Sequence, residues 1–203
     1  MELAIFLTLT VGWIIALGFF RAYRVWLIYY ALGAVGLAVI LVYVAQSLTP
    51  GFYLYESATS NAAHYVAEWI GIPTRVFEAA PNTILVLVIR QEIGWTALEI
   101  GIESSGLLET TILIGLIAFY PGWTRQRKTW FILAGVLITF LANICRLLVI
   151  ILMLHYLGKD WLLVAHTLVG KVVFFVLAIA IYWYLLTLPT IRDLSRKASL
   201  RKS

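Results

Sequence analysis

The feature that most constrains this chain is a succession of long apolar runs separated by short basic clusters. A spanning α-helix needs roughly 20 mostly apolar residues. Five runs are candidates: about Leu3 to Phe20, Val25 to Ala45, Gly106 to Tyr120, Thr129 to Leu157 and Leu163 to Leu188. The third is short, at roughly 22 Å of helix, and needs a thin spot or a start outside the hydrocarbon core. The sequence is 63% hydrophobic and only 12% charged, whereas soluble domains run near half apolar and a quarter charged. A water-soluble core of this size cannot absorb so much apolar side chain. The expectation is an α-helical polytopic membrane protein: one membrane domain over residues 1–203, with an insertion at about 46–105. The apolar N-terminus lacks a basic leader and a small-residue cleavage site. It reads as a retained membrane helix.

The net charge of +5 does not point to nucleic acid. The basic residues cluster at Arg21/Arg24, at Arg125/Arg127/Lys128 and from Arg192 to Lys202. With five alternating helices, all three clusters fall on one side, which the positive-inside rule makes the cytoplasm. The N-terminus is then outside, the C-terminus inside, and the insertion extracytoplasmic. Within the insertion, Thr59 to Ile70 has the pattern of an amphipathic helix, with Ser60 as a reasonable N-cap and Gly71-Ile-Pro73 as a stop. Thr83 to Ile89, a turn at Gln91-Glu-Ile-Gly94, and Trp95 to Glu103 read as a β-hairpin on the membrane surface. That hairpin leads straight into Ser104.

Ionisable and polar residues at membrane depth are costly, so they are functional suspects. Three share one level under this topology. Ser104 lies where the hairpin enters the third helix. Arg146 sits roughly 25 Å along the fourth helix from its cytoplasmic end. His166 lies near the outer start of the fifth. Taken singly, each also has a structural reading. Ser104 or Ser105 can cap a helix, Arg146 can snorkel to headgroups, and His166 can rest at the interface. Cys145, the sole cysteine, excludes an internal disulfide and is expected to be a buried packing residue. His64 and His155 have no ligand spacing with His166. No metal and no cofactor is assigned.

The ordered set Glu103-Ser-Ser-Gly106, Asn143-Ile-Cys-Arg146 and His166-Thr-Leu-Val-Gly170, each tied to a membrane helix, resembles the exosortase/archaeosortase family. The resemblance runs from roughly Ala58 to Tyr184. It implies a membrane transpeptidase of the plasma or inner membrane, with its active site facing outside. Such an enzyme cleaves C-terminal sorting-signal tails of secreted proteins through an acyl-enzyme and transfers them to a lipid, a glycan or water. In that reading position 104 is the nucleophile, Arg146 stabilises the oxyanion or thiolate, and His166 is the general acid and base. Glu103, Ser105, Gly106, Asn143 and Gly170 support them. The family pattern carries cysteine where this chain has Ser104. A hydroxyl is far less acidic than a thiol and needs a well-placed base. The expectation is therefore a chain that binds a sorting signal and turns over weakly or not at all. The alternatives are a non-catalytic protein that binds sorting signals or a partner, and a small transporter subunit.

Overall fold

The computed structural model describes residues 2–48, 51–77, 79–89 and 93–200. Among them, four helical segments are long and apolar enough to cross a membrane: Leu3–Ala22, Trp26–Ser47, Arg125–Leu157 and Lys159–Asp193. A fifth apolar helix, Leu107–Phe119, is shorter. The chain is a helical protein of membrane character. It divides into two compact units, one built from residues 1–49 and 108–136, the other from 50–107 and 137–203.

In the first unit, helix α1 (Glu2–Ala22) and helix α2 (Trp26–Tyr43) form a hairpin. The Trp13 indole donates to the Leu32 carbonyl at 2.8 Å, and Phe6 stacks on Tyr43. A π-turn, Val44–Leu48, extends α2.

The second unit is a helix and a sheet packed on the far half of a long helix. Helix α3 (Gly51–Trp69) precedes strands β1 (Thr74–Phe77), β2 (Ala80–Val88) and β3 (Gly94–Glu99). The strands form an antiparallel sheet in the order β1-β2-β3. Thr74 pairs with Val86, and Val86 with Thr96. Alternation on β2 buries Ile84, Val86 and Val88, as a strand with one covered face requires. Ile84 and Val86 join Ala63 and Ala67 of α3 and Leu98 of β3 in one core. The same core takes in Leu147, Ile151 and Leu154.

Those three belong to helix α6 (Arg125–Leu157), which follows the short helix α4 (Ile102–Ser105) and helix α5 (Leu107–Phe119). The β2 end is pinned to α6, because the His155 ring Nδ1 donates to the Leu87 carbonyl and the Ile89 N–H to the His155 carbonyl. After a 3-10 turn at Lys159–Trp161, the last helical segment runs through a π-turn (Val164–Val169), α7 (Gly170–Tyr182), a second π-turn (Trp183–Thr187) and α8 (Leu188–Leu200).

Several expectations need correction. The amphipathic helix begins at Gly51, so Ser60 is not its N-cap. Ser60 is buried mid-helix and its hydroxyl donates to the Pro81 carbonyl, tying α3 to β2. Strand β1 was not foreseen. β3 ends at Glu99, so Glu103 lies in a helical turn and not in a strand. The turn expected at 91–94 lies partly outside the described residues.

Candidate active site

The three motifs of the second unit meet at α4. Gly101, in extended backbone, starts that turn, and its carbonyl accepts from the N–H groups of both Ser104 and Ser105. Gly106 ends it with φ of +80°. A Cβ at Gly106 would be in a strained conformation and 3.2 Å from the Asn143 side chain. The glycine of the first motif thus admits the asparagine of the second. Asn143 is fully buried, and its Nδ2 donates to the Ser104 carbonyl at 3.0 Å. Its Oδ1 is buried and finds no hydrogen-bond partner among the described residues.

Ser104 is 5% exposed, and its Oγ lies 3.4 Å from His166 Nε2. That is long for proton transfer. Reactive pairs close to about 2.6–3.2 Å and are often looser without substrate. If Nε2 accepts from the hydroxyl, Nδ1 carries the ring proton. His166 Nδ1 is buried with no acceptor among the described residues. Among the described residues no carboxylate meets that nitrogen, so the arrangement is a Ser–His pair without the orienting third group of a triad. His166 sits on the π-turn Val164–Val169, one turn before Gly170. A Cβ on Gly170 would come 2.8 Å from Ile150 Cδ1. This close approach packs α7 on α6 four residues after His166.

Arg146 is 5% exposed, and both terminal guanidinium nitrogens donate to the Glu103 carbonyl at 3.5 Å. Its guanidinium carbon lies 5.3 Å from the Phe174 ring centre. An aromatic face helps to hold such a planar cation in position. Phe174 escaped the sequence reading, since an apolar residue in an apolar run carries no signal. Glu103 contributes its backbone carbonyl, and its side chain is exposed. Ser105 is structural. It is fully buried, donates to the Ile102 carbonyl and accepts the Leu107 N–H. The capping reading proposed for either serine therefore fits Ser105, while the Ser104 hydroxyl faces His166. Cys145 corrects another expectation. It is exposed, not buried. With Leu141, Leu177 and Ile181 it lines an apolar groove of about 500 Å³. One residue of helical rotation separates it from Arg146.

A buried acid was also missed. Glu56 on α3 is 2% exposed, and its carboxyl pKa is pushed up to about 7 by burial and by the charge of Glu99. It lies on the same stripe as Ser60, Ala63 and Ala67, so an α3 drawn far enough toward Gly51 would have exposed it. Among the described residues, no three His, Cys, Asp or Glu side chains are grouped as metal ligands. No known family model matches the chain, and no curated protein or solved structure matches it either.

Proposed function

We propose that this chain is a membrane-embedded acyl-transfer protein of the exosortase/archaeosortase type, acting on C-terminal tails of secreted proteins at the outer membrane face. The observation that carries the reading is the 3.4 Å approach of Ser104 Oγ to His166 Nε2, beside the buried Arg146. Three sequence motifs that are far apart in the chain supply those groups.

In this mechanism His166 takes the proton of Ser104 as its oxygen attacks the scissile carbonyl. The negative charge that develops on the substrate oxygen is met by Arg146, already desolvated and held against Phe174. His166 then protonates the departing amine, leaving an acyl-enzyme that a lipid, a glycan or water resolves. The charge pattern supports five spans with N-terminus outside and C-terminus inside, and α6 sets the depth. Arg146 lies 21 residues beyond Arg125, or roughly 32 Å of rise, which matches the outer edge of a bilayer core.

A second reading has its own support. The unoriented Nδ1 of His166 and the long contact to Ser104 favour a protein that binds such tails without cleaving them. One experiment separates the two. The wild-type chain and Ser104→Cys are co-expressed with a secreted reporter bearing a motif, an apolar segment and a basic end. The enzyme reading expects a trapped acyl-enzyme or a shortened reporter with the cysteine form, lost again in Ser104→Ala. If the cysteine form yields neither while still co-purifying with the reporter, the binding reading stands and the catalytic one is refuted.

A further inference from the structure

Beyond the proposed site, the end of the last helical segment has features of its own. Trp183 and Tyr184 are 49% and 66% exposed at the end of the apolar segment. Exposed aromatic pairs at such positions mark the level of the headgroups. Pro189 follows. Its ring crowds the carbonyl four residues earlier and it offers no N–H. The π-turn Trp183–Thr187 falls where that crowding acts. Backbone distorted in this way is where long helices bend.

Helix α8 begins at Leu188, roughly 6 Å of rise past Tyr184. Its apolar residues recur at Leu188, Ile191, Leu194 and Ala198, and its basic residues at Arg192, Arg196 and Lys197. At 3.6 residues per turn Leu188, Ile191, Leu194 and Ala198 share one arc of the helix, and Arg192, Arg196 and Lys197 fall outside it, together with Asp193 and Leu200. Among the described residues, α8 packs chiefly against the π-turn from which it continues. An amphipathic helix with a basic face, starting at headgroup level, complements a negatively charged lipid surface.

We propose that α8 is an interfacial helix that bends at Pro189 and lies on anionic lipid headgroups, apolar arc inward and basic arc toward the phosphates and water. This stands independently of the chemistry at Ser104. It makes the C-terminal segment a lipid-charge anchor for the last span.

The chain's sole cysteine makes the test direct. In a Cys145→Ala background, single cysteines replace Ile191 or Lys197 and carry a spin label. The full chain is reconstituted in phosphatidylcholine vesicles with or without phosphatidylglycerol. With phosphatidylglycerol, the label at 191 is expected to be shielded from a water-soluble nickel quencher and the label at 197 open to it. The triple variant Arg192→Gln, Arg196→Gln, Lys197→Gln, read by the label at 191, should shift the bound-to-lifted ratio toward lifted by about fivefold per charge removed. High salt should act in the same direction. Equal quenching of both positions in anionic vesicles overturns the proposal. So does shielding at 191 that is indifferent to lipid charge, or that coincides with dipolar coupling between labels of two copies of this chain.

Discussion

Replacing Glu56 by glutamine should change how stability depends on pH, with a sign opposite to that of an ordinary paired carboxylate. The folded-state pKa of Glu56 is about 7, above its reference value of 4.5, because burial and the Glu99 charge oppose ionisation. Between those values the native state holds a proton that the unfolded chain has released. Stability therefore falls as pH rises through this window, by up to about 1.4 kcal/mol per pH unit, and is level above it. Across the window the whole effect is at most about 3 kcal/mol. Glutamine keeps the shape and removes the charge. Glu56→Gln should match the parent near pH 4.5 and exceed it at pH 8 by up to that amount, or roughly 2–4 °C in Tm per kcal/mol for a chain of this length. Tryptophan fluorescence of the nanodisc-embedded protein, heated at a series of pH values, reads the difference. A parallel shift at every pH would show that the gain comes from packing. No gain at pH 8 would show that Glu56 ionises without cost, and the burial argument would fail.

Three further outcomes follow from geometry. Gly106→Ala puts a side chain at φ of +80° and against Asn143. It should cost about 1–3 kcal/mol by the same thermal assay. Gly170→Ala, with its Cβ 2.8 Å from Ile150 Cδ1, should destabilise by about 1–3 kcal/mol, and Ile150→Val should recover most of the loss. Cys145, exposed on its apolar groove, should be labelled by a lipid-soluble maleimide in mild detergent, since among the described residues no other covers its thiol. Strong protection would contradict its placement.

The long apolar helices could be read from the sequence because their signal is additive over many residues and needs no tertiary partner. The insertion was harder. Helix α3 starts eight residues before its expected start at Thr59, since its first turns carry Glu56, Ser57 and Thr59, which look like loop residues. Tertiary partners decide the matter. Tyr55 packs edge-on against Phe140, and Ser60 bonds to the Pro81 carbonyl. Strand β1, only four residues long, is held by its pairing with β2, which no local pattern announces. Cys145 was misjudged because free cysteines are usually buried in water-soluble cores. On a helix in lipid, an outward thiol meets apolar surroundings and incurs no such pressure.

For the candidate site, the sequence carried depth but not lateral contact. Depth alone brought Ser104, Arg146 and His166 to one level, and the second unit brings them to one turn. The means of doing so are backbone features. The αL glycine at 106 lets Asn143 reach the Ser104 carbonyl, and the glycine at 170 packs α7 closely on Ile150 one turn after His166. The π-turn that carries His166 has no residue signature, yet such turns recur at functional positions because they re-aim one side chain within a continuous helix. Here it turns Nε2 to the hydroxyl and leaves Nδ1 in a buried setting with no acceptor among the described residues. A base held from one side only is a poor match for a hydroxyl, whose proton is hard to remove. It is a far better match for a thiol, which ionises with little help. The same arrangement thus accounts for both readings of position 104. Under the proposed function, serine favours the reading in which a tail is held and not cut, and a single oxygen-to-sulfur exchange is the change that tells the two readings apart.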